Sequence, residues 1–348
     1  MSVNSKLPFK RICFVWRRWG GGALIMCYQP FISCIEQKLP ALVLSLEDLN
    51  KNYNLIDNSV LFLLKSFPEQ SIIDKLKNKK NKIVLIPADS NINFCKEYLA
   101  NIKNIDGIVA ASKKYKNFLK PIINDSKIKI IPHNYDYFLD HTTFKKERED
   151  KFSLYFGGSP SSSPTQGELG LDKRFNPNTG FWRSLEQFER DGRYLNSMQK
   201  QKYIFDLIKN KKDKRLIKSI NLLTNPSKYS CHYAVRAPFV ADYTNYWMSK
   251  SATKLVTAAG SNSNIITSLD PAVRELIDEE YPYAIDTEND DFLKNYDEIC
   301  SDMILKAKKT FNTKMWYDGL KIMKEVREKT STRQITKHYI NFAMELYS

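Results

Sequence analysis

Six short apolar runs, separated from one another by polar or helix-patterned chain, occupy the first 132 residues and leave few architectures open. They fall at residues 12–16, 41–46, 59–64, 82–87, 107–111 and 127–132. A continuous apolar run of this length bounded by turn residues is a strand covered on both faces, the condition of a parallel sheet. Helical patterns lie between several of them, at 69–77, 94–102 and 113–123, and a glycine-rich turn after the first run opens a helix to Gln37. Strands alternating with helices predict a doubly wound α/β domain. Right-handed crossovers then bring its functional loops to the carboxyl ends of the strands.

The second half repeats the scheme after a charged connector at 145–151. Residues 152–156 form a strand candidate, Gly157-Gly158-Ser159-Pro160 a turn, and 161–181 a long irregular stretch rich in Ser, Pro, Gly and Asn. Such a stretch is either a lid or disordered, and both readings stay open. Helices are expected at 181–188 and 195–209, and strands at 218–224 and 229–235. Lys250-Ser251-Ala252-Thr253-Lys254 opens a further helix with its body at 255–260, ended by Asn262 and Asn264. A strand at 265–268 and a helix at 271–277 follow. The last fifth of the chain is helical, with apolar stripes of Trp316, Leu320, Met323 and Val326, then Ile335, Tyr339, Phe342 and Leu346. At 348 residues the chain can bury two cores. The expected division is an α/β domain at 1–145, a second α/β domain at 146–310, and C-terminal helices at 311–348.

A formal charge of +15 and a pI near 9.3 call for an anionic partner, with nucleic acid, anionic lipid and a nucleoside diphosphate all open. Lysine runs such as 77–82 and 209–215 are read as solvated faces. No signature of a nucleic-acid-binding module accompanies the charge, so no specific nucleic-acid partner is expected. Six cysteines lack zinc spacing, and several, Cys13, Cys27 and Cys95, read as reduced core residues, which favours a reducing compartment such as the cytoplasm. The run at 12–16 is too short for a secretory leader and is broken by Arg17-Arg18, while 21–35 is too short to span a bilayer. Peripheral contact with an anionic membrane face is compatible with the charge.

Several residues at predicted strand ends carry chemistry. His232 and Arg236 end one strand, and Lys250, Thr253 and Lys254 stand where the next helix opens. The first N–H groups of a helix lack partners within it and carry partial positive charge, so cations there favour a bound anion. Surface lysines and a packed histidine are the plainer alternatives. Asp89 follows the fourth strand, as a general base or a helix cap; His133 follows the sixth. Gly21 and Gly22 follow Arg17-Arg18 after the first strand and would let backbone approach a ligand closely.

Lys254-Leu255, then small residues, Ile265-Ile266-Thr267-Ser268 and Glu275 resemble the nucleotide-sugar half of a GT-B glycosyltransferase. The segment Asp270-Pro271-Ala272-Val273-Arg274-Glu275, followed by Tyr281-Pro282-Tyr283, is similar to a divergent bacterial branch. In many retaining members two glutamates eight residues apart and a proline occupy this stretch; here their places fall on Ser249, Thr257 and Asn264. The resemblance implies two Rossmann-like doubly wound domains facing a cleft, 1–145 on the acceptor side and 146–310 binding the nucleotide-sugar, with a helical C-terminus at 311–348 packing back towards the first. It also implies donor contacts from the glycine pairs Gly21-Gly22 and Gly157-Gly158, and a cleft position for His133. The implied activity is sugar transfer from a nucleotide-activated donor to a glycan or lipid-linked acceptor, in surface polysaccharide biosynthesis. No Asp-x-Asp triplet occurs, so no metal and no cofactor beyond the donor are implied. A non-catalytic glycan- or nucleotide-binding assembly protein and a basic nucleic-acid-binding protein are the alternatives.

Overall fold

The unbroken apolar runs form the centre of the first sheet. A computed structural model describes residues 7–18, 21–88, 90, 92–141, 152–156, 225–235, 248, 250–286 and 295–348. Two units separate by their contacts: Met1–Asn134 with Asn245–Ser251 and Thr332–Ser348, and Tyr135–Thr244 with Ala252–Ser331. The expected division at 145/146 thus stands against a contact boundary between Asn134 and Tyr135.

In the first unit, β1 (Arg11–Trp16), β2 (Ala41–Ser45), β3 (Ser59–Leu64), β4 (Lys82–Ile86), β5 (Gly107–Ala110) and β6 (Ile128–Ile130) form a parallel sheet. Its order is β2-β1-β3-β4-β5-β6. Every residue of β3 is buried, whereas the edge strand β2 is half-buried throughout. The connecting helices are α1 (Gly21–Ala23, a π-helical turn Leu24–Tyr28, and Gln29–Glu36), α2 (Leu46–Asn52), α3 (Gln70–Lys77), α4 (Ile92–Asn101) and α5 (Lys113–Leu119). Side chains alternate across a strand, so the sheet has two apolar faces. Phe14, Phe62 and Val84 meet α1 on one face. Val15, Leu61 and Leu85 share the other with residues of α2, α3, α4 and α5.

Two polar devices fix this unit's corners. Ser45 Oγ accepts the Asp48 N–H at 3.0 Å while the Asp48 carboxylate accepts the Ser45 N–H, a capping box that starts α2 directly at the end of β2. Buried Asn81 accepts the Ser59 N–H at 2.9 Å and donates to Ile56 O at 2.8 Å and Leu76 O at 3.0 Å.

The second unit contains β7 (Leu154–Phe156), β8 (Cys231–Ala234), α6 (Thr253–Gly260), β9 (Asn264–Ser268), α7 (Pro271–Arg274), β10 (Ala284–Ile285), α8 (Tyr296–Lys309) and α9 (Lys314–Thr330). Its strands are parallel in the order β10-β9-β8-β7. Two expectations are corrected here. The helix assigned to 271–277 stops at Arg274. Asn264 does not end α6: Ser261 is the C-cap, Asn262 follows with φ 50°, and Asn264 opens β9. Its buried amide donates to Trp316 O at 2.9 Å and accepts from the Tyr281 hydroxyl at 3.2 Å. The stripe of α9 is also shifted, for Gly319 is buried and Leu320 only half-buried. Asn264 takes the space a longer side chain would need.

The last helix, α10 (Thr332–Glu345), returns to the first unit. Its Tyr339 stands edge-on to Phe14 and Phe62, with centroids 5.6 and 4.9 Å apart, and Phe342 and Ala343 complete that face.

Candidate functional site

Both sheets place their connecting loops at the carboxyl ends of parallel strands, and most of the sequence candidates lie there. In the first unit His133 follows β6 and is buried, its Nδ1 3.3 Å from Asn134 O. The neighbouring Asn134 amide donates to Gln29 Oε1 at 2.8 Å and Thr332 Oγ1 at 3.4 Å, joining the chain after β6 to α1 and α10. Gly21 and Gly22 open α1 immediately before its π-helical turn. A Cβ added at Gly22 would meet no heavy atom within 4 Å, so the space beside it is open to a ligand. Single π-turns inside helices are frequent at functional sites. Asp89, Gly157, Gly158 and Arg236 lie outside the described residues, as do the expected elements between 157 and 224.

In the second unit β8 and β9 pair up to Ala234 with Thr267, which brings their carboxyl ends side by side. The helix after β8 starts later than expected. Its N-cap is Ala252, which has no capping side chain, and its first turn contains no acidic residue. Lys254 is therefore in the first turn, half-buried beside Thr253. Lys250 is not: it precedes the cap and groups with the first unit. Thr257, at the second glutamate position of the resemblance, uses its hydroxyl to donate to Thr253 O at 2.8 Å. His232 is buried in β8, with Nε2 3.1 Å from Pro226 O and its ring edge-on to Tyr155 at 4.9 Å. That packing is the plainer of the two readings given for it.

Beyond β9, Asp270 stands at the N-cap position of α7 without a side-chain capping bond, and Glu275 is its half-buried C-cap. Arg274 went unrecognised in the sequence. Its Nε donates to Leu269 O at 3.0 Å, and its guanidinium pairs with Glu279 at 2.9 Å and Asp286 at 2.8 Å. The loop after β9 and the end of β10 are thereby held in one geometry. Its only sequence signal was an arginine in a short helix opened by Pro271. Burial pushes the Cys231 thiol and the Tyr281 phenol upward, so neither ionises near neutrality. Among the described residues no group of three His, Cys, Asp or Glu could hold a metal ion. No helix among them is long and apolar enough to cross a membrane.

Two parallel α/β units followed by C-terminal helices, the last of which rejoins the first unit, constitute the GT-B fold of glycosyltransferases. The chain is similar in structure to a glycosyltransferase from Rickettsia africae ESF-5, with 13% identity, a TM-score of 0.61, and coverage of 98% of this chain and 99% of that one. Anabaena Alr3699/HepE, solved with UDP and glucose, is 10% identical at a TM-score of 0.52, over 95% of this chain and 98% of that one. The lipopolysaccharide outer core galactosyltransferase WaaB matches over the same shares at 12% identity and a TM-score of 0.52. No family model and no curated protein matches the sequence. At these identities the likeness is one of fold.

Proposed function

We propose that this chain is a glycosyltransferase that moves a sugar from a nucleotide-activated donor to a glycan or lipid-linked acceptor, in the building of a surface polysaccharide. The observation that carries the reading is the end-to-end match to glycosyltransferase structures, which leaves almost none of either chain over. In this reading the second unit holds the donor. Lys254 and the N–H groups opening α6 are proposed to bind the diphosphate, with Arg236 and Glu275 as further contacts. Gly157 and Gly158 are proposed as further donor contacts, and Gly21, Gly22 and Lys250 as ligand contacts belonging to the first unit. Stabilising a departing diphosphate and positioning a hydroxyl is the work such chemistry requires. Asp89 and then His133 are the proposed bases for an inverting outcome. Neither a metal nor a further cofactor enters this proposal. The protein is taken to act in the cytoplasm, at the inner face of an anionic membrane.

Turnover of a panel of nucleotide sugars, with and without acceptor glycans, tests the proposal. Release of nucleoside diphosphate that rises with acceptor supports it, and full activity in Asp89→Asn would remove Asp89 from the chemistry. A non-catalytic nucleotide binder is the second reading, favoured by Thr257 standing where the resembled family has a carboxylate. Nucleotide binding without turnover would select it.

A further inference from the structure

The strand order of the first sheet reverses between β1 and β3. The chain leaving β1 turns to the face that α1 covers, and the chain leaving β3 turns to the face that α3 covers. In an open parallel sheet that divergence leaves a crevice beyond the carboxyl ends. Among the described residues the groups that leave β1 and β3 are basic. Trp16 and Leu64 are the last residues in register, so Arg17 and Lys65 leave the sheet side by side. Arg17 and Arg18 are exposed, and neither has an ion pair among the described residues. Lys65 has φ 48°, a left-handed conformation unusual for a non-glycine residue, with its N–H on Ile86 O at 2.9 Å.

The carboxylates beside β2 are engaged elsewhere: Glu47 pairs with Lys51 at 2.6 Å and Asp48 closes the capping box. The acidic residue of the β3 connection is Glu69, at the start of α3. Two residues past Lys65, Phe67 packs edge-on against Phe94 and Tyr98, each with centroids 5.0 Å away, and Phe94 is 48% exposed. Crevices lined by one sign of charge concentrate ligands of the other, and guanidinium groups bind phosphate and carboxylate with charge-assisted bonds. An exposed aromatic packed on Phe67, two residues past Lys65, can cover the C–H face of a sugar ring.

We infer that the switch-point crevice of the first unit binds an acidic sugar, bearing phosphate or carboxylate, through Arg17, Arg18 and Lys65, with Phe94 beside the ring. Taking this ligand as the acceptor rests on the sugar-transfer reading above; the binding itself does not. Isothermal titration of the full chain with glucose 6-phosphate, glucuronate and glucose, with and without saturating UDP, tests it. The acidic sugars should bind at least tenfold more tightly than glucose, UDP should leave them bound, and the tighter of the two identifies phosphate or carboxylate as the group taken. Arg17→Ala with Arg18→Ala should weaken them at least tenfold, and the double lysine variant should recover part of the loss. Lys79→Ala with Lys80→Ala, which removes equal charge from exposed positions at the amino end of the same sheet, should change little. An equal loss there, displacement by UDP, or no binding of either acidic sugar overturns the inference. A wild type that binds acidic sugars but no UDP or UDP-sugar would instead overturn the sugar-transfer reading and leave this site standing.

Discussion

Replacing Gly319 by alanine should destabilise the second unit although the same change in an exposed helix would stabilise it. The added methyl would stand 2.6 Å from Asn264 Oδ1 and 3.2 Å from Pro282 Cγ. Oδ1 has little freedom to retreat. Asn264 is fully buried, its amide nitrogen is held by Trp316 O at 2.9 Å, and the Tyr281 hydroxyl that meets it also accepts the Ile265 N–H at 2.8 Å. Relief requires either lifting α9 from β9 or breaking the Asn264–Tyr281 bond. Overpacking costs about 1–3 kcal/mol, and a buried polar group left without its partner about 1–3 kcal/mol. The better helix propensity of alanine returns about 1 kcal/mol. Since either route alone relieves the clash, the balance is a loss of roughly 1 kcal/mol. Urea unfolding followed by near-ultraviolet circular dichroism reads it, provided the transition of the second unit is resolved from that of the first. Asn264→Ala combined with Gly319→Ala should lose less than the sum of the two, because the clash disappears with the amide. A Gly319→Ala protein as stable as wild type, or strict additivity in the double variant, would refute this account of the helix contact.

Lys254→Ala should weaken nucleoside diphosphate binding by roughly tenfold to a hundredfold, the effect of one charge-assisted bond to phosphate; an unchanged thermal shift with UDP in a folded variant would remove Lys254 from the donor site. All six cysteines are buried, and burial pushes the Cys13 and Cys34 thiols up to about 12 from an ordinary 9.0. The native protein should therefore show little thiol reactivity at pH 7, roughly a thousandfold below that of free cysteine at those two positions, and titrate six thiols once denatured. Burial and the nearby Lys129 hold the His338 imidazole below its ordinary 6.5, so the folded state binds fewer protons there. Its contribution to stability is complete above pH 6.5 and is lost as pH falls through the lowered value, and His338→Gln should flatten that part of the melting-temperature profile.

The strands most legible in the sequence are those whose burial is two-sided. β1, β3 and β4 carry unbroken apolar runs because α1 and α10 cover one face and α2 to α5 the other. The start of α6 was harder to place. Serine, threonine and lysine are tolerated both before and inside a helix, and no capping side chain marks its first residue. Asn264 looked like a helix terminator because asparagine favours left-handed caps; only the tertiary partners Trp316 and Tyr281 explain a buried amide in a strand. α2 passed unnoticed although Ser45 and Asp48 carry a capping-box spacing in plain view. Gly319 could not be told from Leu320 by periodicity alone, since the choice depends on what faces the helix. Arg274 illustrates the same limit at the site: its role comes from carbonyl and carboxylate partners contributed by three separate turns.

The return of α10 to the first unit has a consequence for biosynthesis. Every described strand of that unit has been translated by Ile130, but Tyr339, Phe342 and Ala343, which close one of its faces, are made more than two hundred residues later. At about 5–20 residues per second, the gap lasts roughly ten to forty seconds. During that interval the ribosome carries a sheet whose rings Phe14 and Phe62 lack their aromatic lid. Vectorial folding therefore cannot finish this unit before α10 is made. Until α10 emerges that face of the sheet stays incompletely covered, and a premature stop codon in α10 would injure a unit whose strands were made long before it.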